Sequence, residues 1–159
     1  MCVCPSFFKK IESCEIDDFP KLEEVDLKDI TLGSYQMKQS LSYIAQHIHE
    51  TGMYWLEAFK DGDMVRARVM SRHLNKVKYF VYIKYKPNVN SREGITEWFC
   101  RCKNGSRTLG CCAHVTSMIY YLSIIRHKDE RTHEPAGKFN KLFSHAEQVV
   151  RESSEEEDI

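Results

Sequence analysis

Between positions 100 and 114 the chain carries Cys100-Arg101-Cys102, then nine residues, then Cys112-Ala113-His114. Thiolates and imidazole are the ligands that suit a tetrahedral zinc ion, and three of one with one of the other fill all four positions. A segment tied at both ends to one ion has to bend back on itself. The run therefore constrains the fold more tightly than any apolar stretch in the sequence. A filled set leaves no place for water, which marks a structural Zn2+ site and not a catalytic one. Cys111 is a further thiol in the same run, and its spacing to His114 also lets it serve as a ligand. Spacing alone leaves that choice open.

The segments around the run read as α+β. Met37, Leu41, Ile44, Ala45 and Ile48 recur at helical spacing, which predicts an amphipathic helix over 34–50 that Gly52 ends. His47 and His49 fall near its C-terminus, where an imidazole can bond the last carbonyls. Strand patterns follow. Tyr54, Leu56 and Ala58 alternate with Trp55 and Phe59, and Asp61-Gly62 signals a hairpin turn. Val65, Ala67 and Val69 alternate with Met64, Arg66 and Arg68, so one face is apolar and the other bears guanidinium groups. Val77–Tyr85 is rich in β-branched and aromatic residues, and a further strand runs from Ile95 to Cys102. Trp55, Phe59, Phe80 and Tyr82 are expected to build a core for this sheet of about four strands. Val115, Met118, Ile119, Leu122 and Ile125 form one apolar stripe on a helix over about Cys112–Arg126. The expected organisation is an acidic, partly ordered arm (1–33), one α+β domain (34–130), and a polar to acidic tail (131–159). The tail holds at most a weak helix within 132–146.

Net charge is zero, but it is unevenly placed. Residues 60–131 hold fifteen basic and six acidic groups, net +9, between ends of net −4 (1–30) and −5 (147–159). A cationic centre points to a polyanionic partner. No apolar run approaches the roughly 20 residues that span a bilayer, and Met1-Cys2-Val3-Cys4-Pro5 does not open like a secretory signal. An intracellular, reducing setting is expected, in which seven cysteines serve as metal ligands or free thiols. Cys2, Cys4 and Cys14 lack a nearby histidine or fourth ligand and read as free thiols.

The order Cys-x-Cys, loop, Cys-x-His and apolar helix resembles the SWIM-type zinc finger. Trp98-Phe99-Cys100-Arg101-Cys102 and Gly110-Cys111-Cys112-Ala113-His114-Val115 carry the likeness, which covers about residues 77–125. It implies a β-β-α unit with Cys100, Cys102, Cys112 and His114 as ligands. The family has a small residue or proline just before its third cysteine, where Cys111 stands. SWIM modules occur in Mutator-type transposases, in plant transcription regulators derived from them, in chromatin ATPases and in ubiquitin ligases. Gly33–Gln36 and Ser42–His47 also resemble segments ahead of such modules in transposon-like animal proteins.

A nuclear, non-catalytic module that binds nucleic acid, DNA above RNA, is the resulting expectation. Arg66, Arg68 and Lys78 on the sheet and Arg101, Lys103 and Arg107 on the ligand loop are its candidate phosphate contacts. The alternative is a zinc-stabilised protein-interaction module anchored by Trp98, Phe99, Tyr120 and Tyr121. A Cys-His nucleophile or a redox dithiol would need thiols free of metal. No Gly-x4-Gly-Lys-Ser/Thr phosphate loop is present.

Overall fold

The computed structural model describes residues 7–51, 54–71, 76–105 and 110–127 of the 159-residue chain. The tail expected from 131 onward, together with Cys2, Cys4, Arg72 and Arg107, lies outside the described residues, as does the side chain of His49. Five strands form one antiparallel sheet in sequential order: β1 (Phe8–Ile11), β2 (Trp55–Phe59), β3 (Met64–Met70), β4 (Lys78–Tyr85) and β5 (Ile95–Cys100). Among the described residues three α-helices accompany it: α1 (Glu24–Thr31), α2 (Tyr35–Thr51) and α3 (Ala113–Tyr120), the last continuing through a π-helical turn at Tyr121–Ile125. The architecture is α+β, as the sequence patterns indicate.

Alternation along the strands separates the two faces. Leu56, Val65, Ala67, Val69, Val81 and Ile83 are buried on the inner face. Each of the Leu, Val and Ile side chains among them contributes about 1.5–3 kcal/mol when fully removed from water. Register then decides the aromatic residues. Trp55 pairs with Arg68, Phe80 with Arg68, and Tyr82 with Arg66. These rings share the outer face with the guanidinium groups and are only half-buried. The expectation that they build the core is therefore corrected, because strands rich in apolar residues on both faces reveal their orientation only once paired. The hairpin at Asp61-Gly62 forms as expected, with Gly62 at φ +78°, a conformation that glycine adopts without strain.

The segment expected as an acidic arm is built into the fold. Phe8 pairs with Phe59 and Ile11 with Leu56, which makes β1 the fifth strand. Ile16, Phe19, Leu22, Leu27 and Ile30 are buried. Their irregular spacing hides them among the carboxylates, several of which have local partners. Glu23 and Asp26 form a reciprocal capping box at the start of α1, and Asp18 accepts a hydrogen bond from the Tyr85 hydroxyl at 3.2 Å.

The helix expected over 34–50 is α2. His47 reaches beyond its own helix. Its Nε2 accepts the Met70 backbone N–H at 3.0 Å, and its ring stacks on Tyr54 with centroids 4.6 Å apart. It thus ties α2 to the end of β3. The apolar stripe expected on α3 widens to the whole helix, for all eight residues of α3 are buried. Thr116 and Ser117 tolerate this because their hydroxyls donate to the carbonyls of Cys112 and His114, at 3.0 and 2.8 Å.

Candidate metal centre

Cys100 closes β5 in register with fully buried Val81, so its thiol points to the inner face. The chain then bends through exposed Arg101, and Cys102 turns inward beside it. Two N–H groups aim at the sulfurs here: Cys102 N–H at Cys100 Sγ (3.5 Å) and Gly105 N–H at Cys102 Sγ (3.0 Å). Such backbone donors orient thiolates and favour their charged form. A Cβ on Gly105 would fall 2.7 Å from the Cys100 carbonyl oxygen, so the turn has no room for a side chain. On the return leg the Trp98 indole N–H donates to the Gly110 carbonyl at 3.1 Å and pins the loop back to β5.

Cys112 is the extended residue that opens α3, and His114 lies in its first turn. The positive end of the helix favours a thiolate there. The ligand atoms of Cys100, Cys102, Cys112 and His114 all lie within 4.8 Å of one another, and all four residues are buried. His114 Nδ1 stands 3.9 Å from both Cys100 Sγ and Cys112 Sγ. A tetrahedron with metal–sulfur distances of about 2.3 Å has edges of about 3.8 Å. The four side chains fit one metal ion without a large rearrangement. The imidazole is held edge-on to Tyr43 (4.8 Å) and tilted to Tyr79 (5.2 Å), which fixes Nδ1 toward the sulfurs.

The thiols share their protons unequally. Cys112 is pushed down to about 4, chiefly by the hydrogen bond from Cys100, with His114 acting in the same direction. Cys100 is pushed up by that same bond and by burial, and burial first, then the Cys112 charge, raises Cys102. Ionisation is thus eased at Cys112 and opposed at Cys100 and Cys102. A divalent cation is the species whose charge lets all three ionise together.

Cys111 stands outside the tetrad. It is buried, its Sγ lies 3.2 Å from Thr116 Oγ1, and burial pushes its thiol up to about 11. Since the Thr116 hydroxyl donates to the Cys112 carbonyl, Cys111 is the donor of the pair and keeps its proton. A cleft of about 470 Å³, lined in part by Tyr43, Lys103, Asn104 and His114, opens onto the tetrad and gives an ion a way in.

The candidate phosphate contacts are spread over two regions. Arg66 and Arg68 lie on the outer sheet face, where Arg66 pairs with Glu57 and so has part of its charge neutralised. Lys78 pairs in register with Met70 on that face and is exposed. Arg101 and Lys103 are exposed at the bend beside the tetrad. Of the candidate protein anchors, Tyr120 and Tyr121 are buried, and the Tyr120 hydroxyl donates to Glu24 at 3.0 Å. Trp98 faces inward, and Phe99 is the exposed one at 54%. Gly105 and Trp98 act on the site without being ligands. The glycine three residues after Cys102 was a sequence signal for the first; the second needed the register.

No family model, curated protein or solved structure matches the chain. No helix among the described residues is long and apolar enough to cross a membrane.

Proposed function

We propose that the chain is a zinc-built, non-catalytic module of the SWIM type that binds nucleic acid in the nucleus. The observation that carries the metal assignment is the buried Cys3His tetrad, complete within 4.8 Å. Its soft sulfur-rich donor set and four-fold count favour zinc over magnesium, calcium or manganese, which take oxygen ligands. In this role Cys100, Cys102, Cys112 and His114 hold the ion, and the ion joins the end of β5 to the start of α3. Its binding energy becomes folding energy for that unit. The ligand shell is full, so the thiols are not available as nucleophiles or redox groups.

The nucleic-acid reading is supported by the net +9 of residues 60–131. Phosphate contacts of this kind give affinity that falls linearly with the logarithm of salt concentration. Two measurements test the two halves. Elemental analysis should find one zinc per chain, reduced in His114→Ala; full occupancy in that variant would refute the ligand set. Binding to a labelled oligonucleotide should weaken steeply with added salt, and a flat response would remove the electrostatic reading. The protein-interaction alternative rests on exposed Phe99, and it predicts partners that survive nuclease treatment of a pulldown.

A further inference from the structure

The outer face of the sheet is built unlike an ordinary solvated face. Register brings Phe8, Trp55, Phe80, Tyr82 and Phe99 onto it, each half-buried or exposed. The rings run as a chain across the strands: Trp55 to Phe80 at 6.2 Å, Phe80 to Tyr82 at 6.4 Å, and Tyr82 to Phe99 at 6.3 Å. Guanidinium groups lie among them. Arg68 sits 4.1 Å over Trp55, and Arg66 sits 4.2 Å over Phe8 and 4.9 Å over Phe80. Stacking of this kind holds both ring and cation flat on the sheet instead of leaving them to project into water.

The charge on this face is predominantly positive. Lys10, Arg66, Arg68, Lys78 and Lys84 stand against Glu57 and Glu97 in the registered positions. Arg66 is taken by Glu57, and Lys84 lies 3.9 Å from Glu97. Among the described residues no carboxylate lies within 4.0 Å of the Lys10, Arg68 or Lys78 nitrogens. These three cations line one cavity of about 280 Å³ at one end of the face, with Trp55 beside them and Glu12 as the one carboxylate in its lining.

We propose that this face is a stacking platform for single-stranded nucleic acid, a proposal that rests on the nucleic-acid reading above and narrows it. Bases would stack on Tyr82, on Phe99 and on the guanidinium plane that covers Phe80, while Lys10, Arg68 and Lys78 meet backbone phosphates where the strand passes over the cavity. A duplex keeps its base faces buried in its own stack and cannot use the rings, whereas a single strand can splay its bases onto them. An apolar protein partner would match the rings and leave three cations to be desolvated against the single carboxylate of Glu12.

The test compares the intact protein with Phe99→Ala, Tyr82→Ala and Arg68→Gln. Fluorescence anisotropy would follow labelled oligo-dT and oligo-U of twelve nucleotides and a duplex of twelve base pairs, all at fixed salt. Phe99 is 54% exposed, so its truncation leaves the core intact, and far-UV circular dichroism checks this. The expected result is tighter binding of a single strand than of the duplex, weakened at least about 5-fold by either ring truncation. Arg68→Gln should lower the salt slope for a single strand by about 0.7. Tighter binding of oligo-dT or of oligo-U tells which of the two strands is preferred, and either outcome supports the platform. Equal binding of the duplex, with no effect of the ring variants, overturns the platform and leaves the nucleic-acid reading standing. Binding of none of the three oligonucleotides at low salt overturns both.

Discussion

Gly105 donates its backbone N–H to Cys102 Sγ at 3.0 Å, and Gly105→Ala should loosen the metal centre without touching a ligand. The new Cβ would stand 2.7 Å from the Cys100 carbonyl oxygen, 3.1 Å from Cys100 Cβ and 3.2 Å from Cys102 Sγ. Ordinary contact begins near 3.4 Å, so the turn must shift by about 0.7 Å away from the carbonyl. That shift lengthens the N–H···S bond to as much as about 3.7 Å, which weakens it, and tilts Cys102 away from the other ligands. Loss of such outer-shell support weakens metal binding by about 10- to 100-fold, equivalent to about 1.4–2.7 kcal/mol. Alanine also restricts the unfolded chain, which stabilises by up to about 1 kcal/mol and opposes the effect in a global unfolding experiment. Zinc affinity is therefore the cleaner readout, measured by competition with a chromogenic chelator at neutral pH, with circular dichroism as a check on folding. An affinity within about twofold of the parent protein would refute the close-packed turn and the role given to its N–H.

Three further outcomes follow from other parts of the structure. Cys111→Ala should keep the full zinc content and cost about 1 kcal/mol of stability through lost packing, whereas a fall in zinc would make Cys111 a ligand. Arg66→Ala should lower urea stability by about 1–3 kcal/mol, because Glu57, with its side chain 12% exposed, loses its partner; an unchanged midpoint would make the pair a surface ornament. Burial raises the Tyr54, Tyr85 and Tyr120 hydroxyls above the usual value, with Asp18 adding to the effect at Tyr85 and Glu24 at Tyr120. The unfolded chain releases these protons from about pH 10 while the folded chain keeps them, so stability should fall as pH rises past about 10. Urea midpoints that stay flat between pH 8 and pH 11 would contradict this.

The candidate metal ligands were legible because their chemistry is carried by residue type and spacing. Cys100, Cys102, Cys112 and His114 converge once a strand ends at the first and a helix opens at the third, and both elements have clear periodicity. The choice between Cys111 and Cys112 was not legible from spacing, since it turns on which thiol faces inward at the helix start and which meets Thr116. The strands β2 to β5 and the helices α2 and α3 followed from alternation and apolar stripes. The burial within the segment before residue 34 was not legible, because Ile16, Phe19, Leu22, Leu27 and Ile30 have no single period and lie among carboxylates. The placement of Trp55 and Phe80 escaped for a different reason. Period two tells which residues share a face within one strand, but only the cross-strand partner tells which face that is. Pairing with Arg68 decides it, and with it the identity of the aromatic outer surface. His47 shows the same limit, for a helix-end imidazole finds its partner on a neighbouring strand at Met70.

X-ray absorption at the zinc edge, on zinc-loaded protein, tests the central assignment most directly. Cys100, Cys102, Cys112 and His114 predict three sulfur neighbours at about 2.3 Å and one nitrogen at about 2.0–2.1 Å, with no oxygen. A water or carboxylate oxygen in that shell, or a fourth sulfur in place of the imidazole, would contradict the closed Cys3His centre on which the account rests.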